Sequence, residues 1–424
     1  MKSSIVILTL ALIIVFATLS HSQFPTPTPR HSDTPTPFPT VLDFGAKADS
    51  TTDDTPAFQL AIDTLSKSGG GTLSIPTGNY LIKSHLIVKE NVTLKGVFEA
   101  PTARTQNKGS TLLAIEDTNG LDGIPFITLH ANATLKGLTI FYPKQSQDEP
   151  KPYPWTVRGV GDNCTIRDCL FVNPYAAVDF GTQPAGRHLI DGLYAQALYR
   201  GIFIDKCFDV GRINNVHLWP FWSTSSKLMK WTEQNGVAFT IARTDWEYMN
   251  NCFCISYKIG YHFLALKDGP GNAVLTECGS DIGPTAVLVD STQSHAGISF
   301  VNGQFMAGIH VSPSNTGPVK FTACGFWGIP TTTHHALLEG KAQTTFVNCH
   351  FISWDQQKTN APAILARSGA LTVTACDFTD QGKNQITLEK DVQAAIIASN
   401  RFRGGIKITN TSSADAQIGL NSAK

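Results

Sequence analysis

Two carboxylates and one imidazole occupy similar five-residue segments, and these side chains can transfer protons. Asp179, Asp205 and His262 belong to the segments A-V-D-F-G, G-I-F-I-D and G-Y-H-F-L. The second and fourth places are apolar, so the third and fifth face outward if the segments are strands. Asp179 and Asp205 then lie on adjacent strands about 8 Å apart at Cα, which suits the acid and base of a retaining or an inverting glycosidase. His262, at the level of Asp179, can assist them. A solvated carboxylate without a catalytic role is the alternative for each aspartate.

A second polar cluster is the segment Arg243-Thr244-Asp245-Trp246-Glu247. Arg243 carries the planar fork of donors that grips a uronate carboxylate through two hydrogen bonds, and Asp245 or Glu247 can transfer protons. A structural ion pair between Arg243 and Asp245 is the alternative. If the reaction is an elimination, it needs a cation near the uronate carboxylate and a base for the C5 proton. The candidates for these roles are Arg243, Tyr248, Lys258 and His262.

The connection from Leu218 to Tyr248 is rich in aromatic residues and contains four of the seven tryptophans. Flat aromatic side chains stack on sugar rings while their polar edges stay hydrated. The alternative is that these side chains pack the connection onto the rest of the chain. The predicted substrate-binding set is His217, Trp219, Trp222, Trp231, Trp246 and Tyr248.

A repeated seven-residue segment indicates the strands that must position these residues. It reads T-F-V-N-C-H-F at Thr345–Phe351, K-F-T-A-C-G-F at Lys320–Phe326 and T-V-T-A-C-D-F at Thr372–Phe378. Copies recur about every 25 residues, a period typical of solenoids whose units bury their apolar side only against neighbouring units. The connection from Leu218 to Tyr248 is the longest between two copies, and this break in the register is where function is expected.

Each repeat is predicted to form a strand, a corner and a second strand. The fourth place suits a left-handed turn residue; it holds Gly137, Asp168, Asp191, Asn215, Asn251, Asn302 and Asn348. The seventh place predicts an interior aromatic column of Phe305, Phe326, Phe351, Phe378 and Phe402. The fifth place predicts an interior stack of mostly free thiols, formed by Cys169, Cys252, Cys278, Cys324, Cys349 and Cys376.

The N-terminal stretch Val41–Leu94 contains D-F-G-A, D-D-T, G-G-G-T-L and I-P-T-G-N-Y. Thr55 is expected to cap a helix that begins at Pro56 and ends at Gly69–Gly71, followed by strands at Thr72–Ile75 and Tyr80–Ile82. These motifs closely resemble the N-terminal signature of the pectate lyase superfamily, in its rhamnogalacturonase/epimerase-like branch.

This resemblance implies an all-β fold, a single-stranded right-handed parallel β-helix of about 11 coils with an N-terminal capping α-helix. It also implies a carbohydrate-active role. The polygalacturonase set, which combines N-T-D, D-D, G-H-G and R-I-K, is missing as a set, as is the W-x-D-H segment of calcium-dependent pectate lyases. Catalytic residues therefore cannot be transferred from those branches.

Composition and the N-terminus limit the partners and the location. The 424 residues include 33 basic and 33 acidic side chains, which gives no electrostatic case for nucleic acid or an anionic membrane. Residues 1–22 are predicted to be a signal peptide, 23–40 a Thr/Pro-rich linker and 41–424 the β-helix domain. The mature protein is expected to be secreted, extracellular or periplasmic. No cofactor or metal is predicted, because CxxC-like groups are absent apart from C-F-C at Cys252 and Cys254.

The leading functional prediction is a secreted enzyme that hydrolyses a polysaccharide with Asp179 and Asp205. A polysaccharide lyase acting on a uronate polymer is the second prediction. A non-catalytic carbohydrate-binding or adhesive β-helix is the third. The expected partner is the polysaccharide, and the chain is expected to be a monomer or a homotrimer.

Overall fold

The chain folds into a right-handed parallel β-solenoid of about 14 turns. The computed structural model describes residues 38–98, 100–101, 108–115 and 119–423. The predicted signal peptide and nearly all of the predicted linker lie outside the described residues. The fold class is confirmed, whereas about 11 coils was an underestimate. The repeated segment is absent from the two coils that precede Thr134 and from the coil that ends the solenoid, so the repeat alone missed them.

Three ladders of parallel strands form the faces of the solenoid. Sheet A consists of β1 (Asp49–Asp53), β3 (Gly78–Ile82), β6 (Ser110–Ala114), β9 (Leu138–Phe141), β16 (His217–Leu218), β19 (Phe253–Ile255), β22 (Gly279–Asp281), β25 (Gln304–Phe305), β28 (Gly325–Trp327), β31 (His350–Ile352), β33 (Asp377–Phe378) and β35 (Arg401–Phe402). Sheet B consists of β4 (Leu86–Val88), β7 (Ile127–His130), β10 (Trp155–Val160), β12 (Ala176–Phe180), β14 (Arg200–Ile204), β17 (Val237–Ile241), β20 (Ile259–Phe263), β23 (Thr285–Val289), β26 (Gly308–Val311), β29 (Ala336–Leu338) and β36 (Ile408–Asn410). Sheet C consists of β2 (Gly71–Ser74), β5 (Val92–Lys95), β8 (Thr134–Lys136), β15 (Gly211–Asn214), β18 (Glu247–Asn250), β21 (Ala273–Thr276), β24 (Ile298–Val301), β27 (Val319–Thr322), β30 (Gln343–Val347) and β37 (Asp415–Gly419). Four longer strands continue from one face to the next: β11 (Thr165–Phe171), β13 (Leu189–Ala195), β32 (Ile364–Thr374) and β34 (Ile386–Ala398).

The corner between sheets C and A is made by left-handed residues at the fourth place of the repeat. This is confirmed for Gly137, Asp168, Asn215, Asn251, Asn302 and Asn348, whose φ angles lie between 50° and 70°. The prediction for Asp191 was wrong, because Gly192 holds the left-handed conformation with φ of 72°. Thr165 pairs with Leu189, so the true repeat begins one residue later than the sequence alignment placed it.

Aromatic and thiol side chains fill the interior as predicted. Neighbouring rings of the phenylalanine column lie 4.7–5.4 Å apart between centroids and are nearly parallel; the members are Phe305, Phe326, Phe351, Phe378 and Phe402. All nine cysteines are buried and free. Burial raises the pKa of Cys169 to about 12, which keeps this thiol protonated and unreactive near neutral pH.

Helix α1 (Thr55–Lys67) covers the first coils. Its buried residues include Phe58, Ala61 and Ile62, which share one face as the sequence predicted. The helix begins one residue earlier than expected, because Asp54 occupies the cap position. The Thr55 hydroxyl accepts a hydrogen bond from Lys83 N instead. A short 3-10 helix, Val41–Phe44, precedes α1 and is capped by Thr40.

A second helix, α2 (Ser226–Asn235), lies within the aromatic connection and was not predicted. Only Leu228 and Thr232 are buried along it, so its sequence carries a weak helical pattern. Within the described part of the chain, neither helix is long and apolar enough to cross a bilayer.

Candidate active site

A groove of about 450 Å³ lies on the outer face of sheet B. Trp155 and Phe203 form an aromatic floor, with ring centroids 6.3 Å apart and planes inclined by 26°. Arg158 and Arg200 bring two guanidinium groups to the same groove. The remaining lining residues are Leu121, Asp122, Thr182, Thr240, Leu264 and Leu266. Aromatic faces beside cationic donors suit a ligand with sugar rings and carboxylates.

Both arginines are held in place by the protein. Arg158 Nε donates to Asp179 Oδ2 at 2.5 Å, and among the described residues its two Nη groups have no hydrogen bond to the protein. The Arg200 guanidinium lies 3.5 Å from the centroid of the Tyr199 ring. Its Nη1 donates to the carbonyl oxygens of Tyr199 and Asn235, each at 3.0 Å. Groups fixed in this way lose little conformational entropy when a ligand binds.

The strand register predicted for Asp179 and Asp205 is confirmed, but their exposure is not. Asp179 pairs with Phe203, so Asp205 lies two residues further along the neighbouring coil. Asp179 is 0% exposed and Asp205 is 2% exposed. The prediction that these carboxylates face solvent was therefore wrong. Their role as an acid and base pair stays a prediction, and their burial weighs against it.

Hydrogen bonds explain the burial of both carboxylates. Asp179 Oδ1 accepts from the backbone N–H groups of Gly181 and Thr182 at 3.1 and 2.8 Å, so the turn after β12 folds over it. Asp205 Oδ1 accepts from Arg243 N at 3.0 Å. The Phe203 ring lies over Gly181. A Cβ atom added to Gly181 would be 2.6 Å from the nearest atom of this ring. Both aspartates thus act as acceptors for turns in the observed structure.

His262 lies one strand beyond the groove residue Thr240, with which it is paired. Its Nε2 is 2.7 Å from Asp290 Oδ2, and Asp290 Oδ1 accepts from the Ser312 hydroxyl at 2.5 Å. Burial acts to raise the pKa of Asp290, but the hydrogen bonds from Ser312 and His262 outweigh it and hold that pKa below its usual value. An imidazole oriented by an ionised carboxylate is equipped for general base catalysis.

Arg243 and Asp245 form an ion pair with each other. Two hydrogen bonds of 2.5 and 2.9 Å join them, and Gln293 Nε2 also donates to Asp245 at 3.0 Å. The guanidinium lies 5.5 Å from the centroid of the Phe208 ring. Burial acts to raise the pKa of Asp245, yet the bonds from Arg243 and Gln293 lower it overall. Neither residue lines the groove on sheet B. The observed contacts are therefore those of a structural ion pair, the alternative to a catalytic role for Arg243 and Asp245.

Four of the predicted binding residues pack the long connection onto the coil. Trp219 and Trp222 are packed against a cluster of Leu170, Val172 and Phe221. His217 stacks on Trp219 with centroids 5.5 Å apart, and burial lowers its pKa. Trp231 lies on α2, with centroids 6.1 Å from Tyr175 and 5.8 Å from Tyr199. Their substrate-binding role stays a prediction, and none of these four lines the groove.

Trp246 and Tyr248 are the exposed members of the predicted binding set, with exposed fractions of 51% and 43%. Trp246 borders a separate cleft of about 260 Å³ that also contains His295 and Lys320. Its backbone has φ of 67°, a conformation that bulky residues rarely adopt. The backbone N–H of Trp246 donates to Asn272 Oδ1 at 2.9 Å, which stabilises this conformation.

The unusual backbone of Trp246 leads to a stability prediction. Trp246→Asn is expected to leave the free energy of unfolding unchanged or to raise it by up to about 1 kcal/mol, because Asn tolerates left-handed φ angles. Urea unfolding measures this. Tyr248→Asn is the matched control and should be destabilising, since Tyr248 lies in strand β18, where Asn is disfavoured. Equal losses in both variants would contradict the strain at Trp246.

The sequence reasoning missed Trp155, Arg158 and Arg200 as site residues. The position of Arg158 could have been found from the sequence. Arg158 lies on β10, the strand of sheet B that precedes β12, and is paired there with Asp179. Extending the outward-facing alignment by one coil would have placed Arg158 beside Asp179. Arg200 precedes the aligned segment, and its position depends on Tyr199 and on the end of α2, which the sequence pattern did not indicate.

Residues 38–253 match the family "Rhamnogalacturonase A/epimerase, pectate lyase-like". The chain belongs to this family of pectate lyase-like β-helix proteins. Among individual proteins, it is similar to alginate lyase 7 of Azotobacter vinelandii, with 48% identity over 63 residues. It is also similar to the tail spike protein of Shigella phage Sf6, with 23% identity over 316 residues.

These relatives are matched over only part of their length. The alginate lyase match covers 13% of this chain and 7% of the relative, and the tail spike match covers 71% and 47%. Among solved structures, the A-module of the Azotobacter vinelandii mannuronan C-5 epimerase AlgE6 superimposes with a TM-score of 0.55 at 12% identity. That superposition covers 91% of this chain and 99% of the module. At this identity the likeness supports the fold alone.

Proposed function

We propose that the chain is a secreted enzyme that acts on an acidic polysaccharide bound along the outer groove of sheet B. The observation that carries the proposal is the pair of fixed guanidinium groups, Arg158 and Arg200, beside the aromatic floor of Trp155 and Phe203. Arginine binds carboxylates through paired hydrogen bonds, and aromatic faces stack on sugar rings. A neutral polysaccharide would offer no negative charge to these two guanidinium groups.

The direction of the groove suits an extended polymer. The paired residues Arg158, Asp179, Phe203, Thr240 and His262 occupy five successive strands of sheet B. At about 4.8 Å per strand they span about 19 Å along the solenoid axis. A polysaccharide lying along this axis would contact the arginines in the groove and continue to His262, one strand beyond the groove residue Thr240.

The similar proteins add support for an acidic substrate. Their names state that one is an alginate lyase and that others are mannuronan C5-epimerases. Removal of the C5 proton of a uronate is chemically the first step of elimination and of epimerisation at C5. The dyad of His262 and Asp290 is the proposed base. Arg158 lies four strands from His262, so the arginines bind the carboxylates of other uronates along the polymer and position the chain at the base.

In the proposed elimination, His262 takes the C5 proton and the electron pair of the C5–H bond forms the C4–C5 double bond. The C4–O4 bond breaks, and O4 leaves with a proton from solvent. Hydrolysis by Asp179 and Asp205 is the second candidate function. The observation in its favour is their predicted and observed placement on adjacent strands.

Incubation with polyuronates and matched neutral polysaccharides tests the proposal. Elimination yields an unsaturated product that absorbs in the near ultraviolet, whereas hydrolysis releases reducing ends without that absorbance. Epimerisation changes the uronate composition, read by NMR, without cleavage. Action on neutral polymers and none on polyuronates would overturn the proposed substrate class. Retention on a polyuronate column without any turnover would favour a binding protein.

His262→Gln is expected to lower turnover of a polyuronate by roughly 10²–10⁴-fold while leaving binding intact, because it removes the general base. The measurement is kcat together with a binding constant from calorimetry. His310→Gln is the matched control. His310 faces outward on the same sheet and pairs with Glu339 at 2.8 Å, but lies two strands beyond His262. Comparable losses in both variants would contradict a specific role for His262.

A further inference from the structure

Three side chains with metal-binding chemistry meet inside the solenoid. His188, Cys207 and Glu247 are each 0% exposed. One potential ligand atom from each lies within 4.8 Å of the others. His188 precedes β13, Cys207 follows β14 and Glu247 begins β18. The cluster therefore joins three separate parts of the chain, and none of its members lines the groove on sheet B.

A glycine makes the meeting possible. Leu189 pairs with Arg212, and Gly211 pairs with Glu247, so His188, Gly211 and Glu247 lie at one level on three successive strands. Two strand spacings separate the Cα atoms of His188 and Glu247 by about 9.6 Å. Their side chains nevertheless approach to 3.0 Å between Nε2 and Oε1. A Cβ atom at Gly211 would overlap both the Glu247 carboxylate and the His188 ring.

One oxygen in the cluster lacks a partner. Glu247 Oε2 is buried and has no hydrogen bond to any described residue. A buried carboxylate oxygen without a partner is destabilising and rare in native proteins. His188 Nδ1 is 2.9 Å from the carbonyl oxygen of Ala185. Such a second contact fixes the ring orientation of metal-binding histidines and directs Nε2 toward the metal.

We propose that His188 Nε2, Cys207 Sγ and the Glu247 carboxylate bind a zinc ion. Thiolate, imidazole and carboxylate are the ligands that zinc accepts together, and a thiolate excludes calcium and magnesium as the natural occupant. A divalent cation with one thiolate, one carboxylate and a neutral imidazole gives a buried site without net charge, which limits the desolvation penalty. The Cys207 thiol donates to the Asp209 carbonyl oxygen at 2.7 Å, a bond that the thiol would lose when it binds the ion as a thiolate.

The site needs only a small contraction to hold the ion. Zinc bonds of about 2.0–2.3 Å in tetrahedral geometry keep ligand atoms about 3.5 Å apart. The widest separation in the cluster, at most 4.8 Å, would shorten by little more than about 1 Å. The ion would link the coils on either side of the long aromatic connection, in addition to the strand pairings β14–β17 and β15–β18.

Metal analysis of the full chain tests this proposal. Protein produced with added zinc and then dialysed is expected to hold about one zinc equivalent, and Cys207→Ser less than about a tenth of that. Cys169→Ser is the matched control, because Cys169 is equally buried but lies outside the cluster; it should retain the zinc.

Cobalt substitution keeps the test decisive if Cys207→Ser does not fold. Wild-type protein refolded with Co²⁺ should show a thiolate-to-cobalt charge-transfer band together with the visible bands of tetrahedral cobalt. Folded wild-type protein with less than about a tenth of an equivalent of zinc and no such band would overturn the proposal. The cluster would then be a buried ion pair between His188 and Glu247.

Discussion

Arg158→Met is expected to lower the free energy of unfolding by about 3–5 kcal/mol, because it leaves the carboxylate of Asp179 buried without its cation. Asp179 is 0% exposed and the Arg158 side chain is only 16% exposed, so water cannot replace the lost partner. The same change should weaken binding of a polyuronate roughly tenfold or more, since a charged hydrogen bond to a uronate is lost. Urea unfolding and calorimetric titration measure the two effects.

A second substitution separates stability from binding. The double variant Arg158→Met with Asp179→Leu is expected to recover most of the lost stability, because replacing a whole buried ion pair by apolar groups is often neutral. It should not recover polyuronate binding. If binding returned with stability, Arg158 would support the groove only by holding the fold.

Arg187→Met is the control, because it removes the arginine of an Arg–Asp pair that lies on the surface. Arg187 pairs with Asp162, and both side chains are nearly half exposed, at 46% and 47%. Exposed pairs contribute about 0–1 kcal/mol, so this variant should be nearly as stable as the wild type. A loss equal to that of Arg158→Met would contradict the importance of burial.

Phe351→Ala is expected to lower the free energy of unfolding by about 3–5 kcal/mol, because it leaves a cavity in the middle of the aromatic column. Phe351 is fully buried, and its ring centroid lies 4.9 Å from that of Phe326 and 4.7 Å from that of Phe378. Each coil is stabilised mainly by contacts with its neighbours, so the gap weakens two coil interfaces at once. Thermal and urea unfolding followed by circular dichroism measure the change.

Phe208→Ala is the control for the loss of a phenyl ring at the surface. Phe208 is 55% exposed, and the centroid of its ring lies 5.5 Å from the Arg243 guanidinium. Its replacement should change the free energy of unfolding by less than about 1 kcal/mol. Similar losses in both variants would contradict the view that the stacked interior stabilises the solenoid.

Much of the fold could be predicted from the sequence because each repeat carries the same local requirements. Phe326 and Phe351 recur at one place of the repeat, and the residues before them include Asn348 in the left-handed corner. Strand alternation also identified the outward face that carries Phe203 and His262. Such features depend on backbone geometry and on the neighbouring coil, both of which the repeat determines.

The site was harder to predict because alternation indicates a face but not what covers it. Asp179 faces outward, yet the turn at Gly181 and Thr182 and the side chain of Arg158 cover it completely. Similarly, the aromatic connection contains α2, and Trp231 on this helix packs on Tyr199 rather than facing solvent. Contacts between successive coils and loops decide these points, and no short sequence pattern encodes them.

The location of a bound acidic oligosaccharide tests the central claim most directly. A crystal structure of the chain soaked with an oligouronate is predicted to show the sugar along the outer face of sheet B. Its carboxylates should contact Arg158 and Arg200, a sugar ring should lie on Phe203, and C5 of one uronate should be next to His262. An oligouronate bound elsewhere, for example in the cleft beside Trp246 with the groove empty, would contradict the account.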